Sequence, residues 1–309
     1  ELVRMTIPDA LRGLGVKWIR MSVESGWGFD QNLITYAHSK GLKVLQACQK
    51  GGHNYSGTST DVASFATYCA SWVDKGVDAI EVGNEWNHMP FYNYNGTGAP
   101  DATAIDAFDR EQHGLAIIDT VEAKAATVDE VAALTRLTGP DRLVYVEIPL
   151  DDSCDALVDA IAAHGLRAKV RTGGVTAAAF PPAAAVAHFL SSCRRAGIPC
   201  KATAGLHHPL RGEYRLTYDA HAASGTMFGF LNVIGASMLV ARGLSTHELV
   251  DLLEERAPSA FQLDDAGFRW RDWFVPAEEI RRARADAANS LGSCSFEEPL
   301  HDLKQLAML

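Results

Sequence analysis

Strand-like and helix-like runs alternate along nearly the whole chain, and this alternation limits the available folds more than any other feature. Seven apolar runs are candidate strands: residues 16–23, 42–48, 79–84, 116–123, 143–148, 168–172 and 200–204. Amphipathic segments that are candidate helices lie between them, at 32–40, 62–75, 128–137, 154–164 and 183–196. Such alternation indicates βαβ units and a parallel sheet.

The number and spacing of these repeats favour an α/β fold of one kind, a (β/α)₈ TIM-type barrel that takes up residues 1–309 as a single domain. Eight strands are needed and seven are recognised, so either the first strand is missing at the amino end or one strand of the chain is unrecognised. No Gly-x-Gly-x-x-Gly turn follows any strand, which disfavours a dinucleotide-binding sheet. An apolar helix (228–242), a β-hairpin (261–275) and a charged helix (277–289) predict a C-terminal cap on the barrel.

Composition and charge restrict the partners. An apolar content of 47% and a charged content of 21% are typical of a globular protein with a full core. The net charge of -10 disfavours nucleic acid and anionic membranes as partners, and no apolar run is long enough to span a bilayer. Six scattered cysteines include no CxxC pair, which indicates core residues in a reducing compartment. We therefore expect a cytoplasmic protein with a small-molecule substrate and neither cofactor nor metal.

Residues 79–87 read Ala-Ile-Glu-Val-Gly-Asn-Glu-Trp-Asn and place a carboxylate and an amide where a predicted strand opens into a loop. In parallel α/β barrels the chemistry lies at that end of the strands. Glu85 is suited there to general acid catalysis, with its pKa raised by partial burial, and Asn84 is suited to bind a substrate hydroxyl. The alternative is a surface loop that reads Asn-Glu by chance.

Residues 1–95 resemble retaining glycoside hydrolases of the large (β/α)₈ clan that includes cellulase-like and xylosidase-like enzymes. The matching segments are Gly-Val-Lys-Trp-Ile-Arg (15–20), Gly-Leu-Lys-Val-Leu (41–45) and Ile-Glu-Val-Gly-Asn-Glu-Trp-Asn (80–87), which in that family are the second, third and fourth strands. The resemblance implies that Glu85 is the general acid/base, that Asn84 holds the 2-hydroxyl of a sugar and that Arg20 supports the nucleophile. We also predict that Trp86, which follows Glu85, is a substrate-binding residue.

A retaining enzyme needs a second carboxylate about 5 Å from the first. The family places it as a glutamate at the end of the seventh strand. The corresponding run here, residues 168–174, contains no carboxylate. The second carboxylate would therefore have to be Glu147 or Glu122, from another strand.

Residues 115–309 resemble a bacterial family of uncharacterised proteins. The matching segments are Val-Tyr-Val-Glu-Ile-Pro (144–149), Lys-Val-Arg-Thr-Gly-Gly (169–174), Lys-Ala-Thr-Ala-Gly-Leu-His-His-Pro (201–209) and Ser-Cys-Ser-Phe-Glu-Glu-Pro (293–299). This resemblance implies no known activity. The two parts meet within the polar stretch 91–114, and one hypothesis is that two half-barrels of different parentage are joined there, with the cap following the second.

Polar and charged side chains recur at every second position of four predicted strands. Residues two apart share a face of a strand, so four pairs are predicted to point into the barrel: Glu122 and Lys124, Tyr145 and Glu147, Lys169 and Arg171, and Lys201 and Thr203. Buried charges must be paired, hydrated or bound to a ligand. The alternatives are an ion-pair network that fixes strand register and a site for an anionic or carbonyl ligand.

The ligand-site alternative has its own candidate residues. Gly173 and Gly174 follow one strand and Gly205 follows the next, where barrels commonly hold phosphate with backbone N–H groups. Lys169 or Lys201, desolvated beside another cation, is expected to have a lowered pKa and to act as a Schiff-base nucleophile.

Two further motifs are open to more than one interpretation. The pair His207 and His208 is either a hydrogen-bonded or exposed loop pair or the source of one metal ligand beside Glu122 or Glu147. Trp270 and Trp273 in the predicted hairpin either cover a ligand or pack in the core.

Three functions remain open. The first is a carbohydrate-active hydrolase with Glu85 as acid/base. The second is a lyase or aldolase-type barrel that acts on a phosphorylated or carboxylated small molecule through Lys201 or Lys169, with Glu147 as acid/base. The third is a non-catalytic barrel with a ligand pocket. The hydrolase is favoured because it is the only one of the three functions that rests on residues with a defined chemical role.

Overall fold

A computed structural model describes residues 18–22, 31–39, 41–48, 71–82, 102–111, 117–217, 221–286, 288–292, 297–306 and 308. The chain divides into two compact units, Glu1–Asp119 and Thr120–Leu309. This division lies shortly after the predicted junction at 91–114. The origin of the chain from two half-barrels stays a prediction.

The first unit contains a parallel three-stranded sheet. Its strands, in the order in which they pair, are β1 (Trp18–Ser22), β2 (Lys43–Cys48) and β3 (Ala79–Val82). Helix α1 (Gln31–Ser39) connects β1 to β2, and helix α2 (Ala102–Glu111) lies inside the stretch that the sequence analysis treated only as a polar junction. The predicted helix at 2–14 and most of that at 62–75 lie outside the described residues.

The second unit is built on a five-stranded parallel sheet. The strands are β4 (Thr120–Lys124), β5 (Leu143–Glu147), β6 (Arg167–Arg171), β7 (Cys200–Thr203) and β13 (Ala288–Gly292), paired in the order β13-β7-β6-β5-β4. Helices α3 (Val128–Ala133), α4 (Cys154–Ala163) and α5 (Ala183–Ala196) connect the first four strands in turn.

The face of this sheet that is turned toward the helices forms the core with them. Its side chains are small and apolar and are buried: Val121, Ala123, Val144, Val146, Ala168, Val170, Cys200 and Ala202. The facing helices contribute buried Leu157, Val158 and Ile161 from α4 and Val186, Phe189 and Leu190 from α5. Burying each large aliphatic side chain is worth about 2 kcal/mol. One face of strands β4 to β7 therefore packs against the helices, and the opposite face carries the polar residues.

Strand β13 is an eighth parallel strand that the sequence analysis did not recognise. The predicted charged helix at 277–289 ends earlier, because α8 spans Ala277–Asp286 and Ala288 already pairs with Cys200 of β7. The β13 sequence Ala-Asn-Ser-Leu-Gly has little β-propensity, so only its pairing with β7 identifies it.

The rest of the second unit is antiparallel or helical. Strands β8 (Gly212–Arg215) and β9 (Ser224–Met227) form a hairpin, followed by helices α6 (Phe230–Leu239) and α7 (Thr246–Glu254). The predicted hairpin at 261–275 is instead a three-stranded meander of β10 (Phe261–Asp264), β11 (Gly267–Trp270) and β12 (Trp273–Pro276). Helix α9 (Glu297–Gln305) follows β13. Short 3₁₀ turns span Leu134–Leu137, Ala177–Ala179, Val240–Arg242 and Pro258–Ala260.

The predicted α/β class is confirmed, since both units contain parallel strands connected by helices. The described residues supply eight strands in parallel sheets, the number that a (β/α)₈ barrel requires. Closure of these strands into one ring stays a prediction. Within the described ranges, no helix has the length and apolar character needed to traverse a bilayer.

Candidate functional site

The face of the second sheet opposite the helices, which we call its inward face, carries charges that the strand register places side by side. Lys124 of β4 is aligned with Glu147 of β5, Glu147 with Lys169 of β6, and Lys169 with Lys201 of β7. One step toward the amino ends, Glu122 is aligned with Tyr145, and Tyr145 with Arg167. The predicted alternation of inward and outward faces is consistent with the ion pairs that these residues form.

Lys169 is the centre of this ionic cluster, which we define as Glu122, Glu147, Lys169 and Lys201. Its Nζ atom lies 2.5 Å from Glu122 Oε2 and 2.9 Å from Glu147 Oε2. The side chain of Lys169 is only 11% exposed. Because a buried ammonium without counter-charges costs several kcal/mol, the two carboxylates are what allow Lys169 to be buried as a cation.

Lys201 completes the cluster from the neighbouring strand. Its Nζ atom contacts Glu122 Oε1, so one carboxylate uses its two oxygens for two lysines. The same nitrogen lies 4.6 Å from the ring centroid of Tyr145, within range of a cation–π interaction. Arg167 donates from Nη1 to the Tyr145 hydroxyl at 3.3 Å. Arg167 was not among the predicted site residues, although it shares the parity of Lys169.

The charges of the cluster shift the pKa values of Glu122 and Lys169. Burial favours the neutral form of Glu122, but the charges of Lys201 and Lys169 outweigh it and hold the pKa of Glu122 below its usual value. Burial likewise disfavours the ammonium of Lys169, but Glu122 and Glu147 outweigh it and raise the pKa of Lys169. The expectation that Lys169 has a lowered pKa is therefore wrong, because its nearest contacts are carboxylates rather than another cation.

Basic residues outnumber carboxylates on the inward face of the second sheet. Five basic residues share it with two glutamates: Lys124, Arg167, Lys169, Arg171 and Lys201. Lys124 is 64% exposed and lies 3.5 Å from Glu147. Arg171 is the last residue of β6, aligned with Thr203, and forms no ion pair within the part of the chain that the structure describes. In a chain of net charge -10, this local excess of positive charge favours an anionic ligand.

The glycines that follow β6 and β7 are needed for close packing. A Cβ atom at Gly173 would overlap the ring of Phe180 and lie 3.0 Å from Gly205 Cα, and one at Gly174 would lie 2.8 Å from Ala179 Cβ. At the end of β7, Ala204 and Gly205 both have positive φ, 66° and 73°. Thr172 supports this turn by donating its hydroxyl to the Ala204 carbonyl at 2.8 Å. The role of Gly173 and Gly174 in phosphate binding stays a prediction.

The histidine pair follows that turn. His208 Nδ1 lies 2.6 Å from Asp302 Oδ2 of α9, and the His208 ring is stacked on Tyr214 of β8 with centroids 3.5 Å apart. His207 lies beside it, with ring centroids 6.4 Å apart. The hydrogen-bonded alternative is thus the one observed for His208. Asp302 lies 94 residues away along the chain, so no local pattern could have identified it.

Other predicted site residues are not placed in this cluster. Asn84, Glu85 and Trp86 lie outside the described residues, and of Arg20 the structure describes only its position in β1. Trp270 is buried in the meander, as expected for core packing, and Trp273 is partly exposed. Among the described residues, no group of three or more His, Cys, Asp or Glu side chains is arranged to hold a metal ion.

Comparisons with known proteins give only distant structural matches. No protein-family profile and no curated protein sequence matches the chain. Among solved structures, it is similar to an O-GlcNAc hydrolase from Thermobaculum terrenum (9% identity, 55% of this chain and 43% of that one, TM-score 0.37). It is also similar to a GH5-4 broad-specificity endoglucanase from Clostridium cellulovorans (10% identity, 81% of this chain and 85% of that one, TM-score 0.36).

A third similar structure is the putative copper homeostasis protein CutC from Streptococcus agalactiae (12% identity, 62% of this chain and 79% of that one, TM-score 0.30). The chain spans less than half the length of the Thermobaculum protein. These three proteins differ in the activities that their names give. At such TM-scores, the likeness carries no argument about what this chain does.

The ionic cluster predicts a pH-dependent effect of Glu122→Gln. At pH 7 the substitution leaves Lys201 and Lys169 short of a counter-charge, and we expect the free energy of unfolding to fall by about 1–3 kcal/mol. This is less than for a fully buried pair, since the Glu122 side chain is 37% exposed. Urea unfolding at several pH values, with Asp152→Asn as an exposed control, measures the difference.

The sign of the pH dependence follows from the lowered pKa of Glu122. Stability from a carboxylate of lowered pKa is present above its unfolded pKa of about 4.3 and is lost as the pH falls through the folded pKa. The free energy of unfolding of the wild type should therefore approach that of Glu122→Gln as the pH is lowered. An advantage that stays constant or grows from pH 7 to pH 3 would contradict the ion-pair assignment.

Proposed function

We propose that the chain is a lysine-dependent lyase of the aldolase type, with Lys201 as the amine that forms a Schiff base with a small carbonyl compound. The observation that carries this proposal is the in-register pair Lys169 and Lys201 on adjacent strands, joined by the shared carboxylate of Glu122. The sequence alone favours the hydrolase, but the contacts of the described residues give the lysines better support.

Lys201 is better suited than Lys169 to be the nucleophile. Lys169 is held by two carboxylates, whereas Lys201 contacts one carboxylate and a tyrosine ring. An amine must lose a proton before it attacks a carbonyl carbon. Glu122 Oε1 is in contact with Lys201 Nζ and is the group positioned to accept that proton.

The charge balance of the reaction suits an ionised Glu122. An ammonium and a carbonyl compound give an iminium ion and water, so the cluster carries the same net charge before and after the step. The proton that Glu122 takes from Lys201 is returned to the hydroxyl group that leaves the carbinolamine as water. The carboxylate that stabilises the ammonium of Lys201 then stabilises the iminium at the same position. Glu147 is proposed as a second acid/base group.

The excess of cations suggests the substrate class. Arg171 stands at the carboxyl end of β6 without an ion-pair partner among the described residues, and a guanidinium there suits a carboxylate or a phosphate. Together with an amine nucleophile, this favours a carbonyl compound that carries an anionic group. A solely structural ion-pair network accounts for the paired residues but not for the remaining positive charge.

Borohydride trapping tests the lysine mechanism. Incubation with pyruvate, a triose phosphate or a neutral aldehyde, followed by reduction, should leave a stable adduct that peptide mass spectrometry locates at Lys201. Lys201→Arg should abolish that adduct, because a guanidinium does not form a Schiff base. The control Lys304→Arg, an exposed residue of α9, should leave it unchanged.

Two outcomes would refute the lysine mechanism. One is the absence of an adduct with every carbonyl compound in the panel. The other is a set of adducts scattered over surface lysines at an equal rate in the wild type and in Lys201→Arg. Circular dichroism of the variant checks that its fold is retained.

Glycoside hydrolysis is a second candidate function. Its support is that the Asn84-Glu85-Trp86 motif follows within four residues of β3, the last strand of the first parallel sheet. Glu85 would be the acid/base of such an enzyme. A saccharide would then be the substrate.

Release of nitrophenol from a panel of aryl glycosides tests this second candidate. Glu85→Gln should reduce the rate by about 10²–10⁴-fold, the usual contribution of a general acid/base. Asp152→Asn serves as the control. No turnover by the wild type, or an unchanged rate in Glu85→Gln, would exclude Glu85 as the acid/base.

A further inference from the structure

His208 lies in a loop at the carboxyl end of the sheet that carries the ionic cluster. Strand β7, which contains Lys201, ends at Thr203, and the chain then turns through the left-handed residues Ala204 and Gly205. His208 follows within the same loop, and its side chain is only 14% exposed. In parallel α/β proteins, groups on such loops lie where substrates bind.

The contact with Asp302 fixes which nitrogen of His208 carries the proton. Asp302 Oδ2 lies 2.6 Å from Nδ1. A carboxylate can only accept a hydrogen bond, so Nδ1 must be the donor, and the neutral ring then has an unprotonated Nε2. Within the described part of the chain, Nε2 has no hydrogen-bond partner. In the neutral ring, Nε2 is therefore the nitrogen that can take up a proton.

The ring is also held in position by its surroundings. Tyr214 is stacked on it with the ring planes only 7° apart, and the Tyr214 hydroxyl donates to the Leu210 carbonyl at 2.9 Å. The backbone of His208 is fixed because its carbonyl accepts a hydrogen bond from Phe230 N at the start of α6, at 2.9 Å. An oriented, partly buried imidazole with one free basic nitrogen is the arrangement that proton transfer requires.

We propose that His208, oriented by Asp302, is the proton carrier for the carbon of the substrate next to the iminium. This inference rests on the proposed function. In the step, the C–H bond of that carbon breaks and its proton goes to His208 Nε2. The electron pair forms a carbon–carbon double bond as the iminium becomes a neutral enamine. The imidazolium, stabilised by Asp302, then returns a proton to the same carbon.

Exchange of hydrogen for deuterium in pyruvate tests this assignment. In heavy water, the wild type should incorporate deuterium at the methyl carbon of pyruvate, measured by proton NMR. His208→Gln should slow this exchange by about 100-fold or more while borohydride still traps pyruvate at Lys201. Asp302→Asn should slow exchange less, because it misorients the imidazole without removing it, and added imidazole should partly rescue His208→Gln.

The outcomes separate this inference from the function on which it rests. Failure of the wild type to be trapped by pyruvate would overturn the lysine mechanism and the role of His208 with it. Trapping that is intact, with exchange equally fast in His208→Gln, would overturn the role of His208 alone. Equal losses of trapping and exchange in His208→Gln would assign His208 a structural role and would also overturn the inference. Lys304→Arg, on the same helix as Asp302, is the matched control and should behave as the wild type.

Discussion

The shared ion pairs of Lys169 are the constraint on which the rest of the second sheet depends. A lysine on an inward-facing position of a parallel strand is costly unless carboxylates lie within contact distance. Glu122 and Glu147 are both in contact with its nitrogen, and each belongs to a different strand. A shift of β4 or β5 by one residue would turn its glutamate to the helix side, so the cluster specifies strand register as well as charge.

Once this register is set, it determines what the inward face can do. Lys201 lies beside Lys169 and shares Glu122 with it. Arg171 lies at the end of β6 and has no ion-pair partner among the described residues. The paired charges stabilise one another, and the proposed function assigns Arg171 to a ligand. The proposed chemistry uses this division: Lys201 reacts, Glu122 moves its proton, and Arg171 holds the anionic group of the substrate.

Strands β4 to β7 of the second sheet were predictable because each combines a period-2 pattern with buried apolar residues. Strand β13 was missed because its five residues carry no such pattern, and its assignment depends on pairing with β7. The inward position of Lys169 follows from parity, but the sign of its pKa shift depends on distances to carboxylates of other strands. His208 and Asp302 are 94 residues apart in the chain, so the sequence around neither residue could have predicted their hydrogen bond.

Titration of the Glu122 side chain tests the central claim most directly. Carbon-13 NMR of the glutamate carboxyl groups, with Glu122→Gln used to assign the signal, follows its protonation in the folded protein. The ionic cluster predicts a pKa for Glu122 below the ordinary value of about 4.3, and a higher pKa in Lys201→Met. A Glu122 pKa at or above the ordinary value, or one unaffected by Lys201→Met, would contradict the cluster and the chemistry proposed for it.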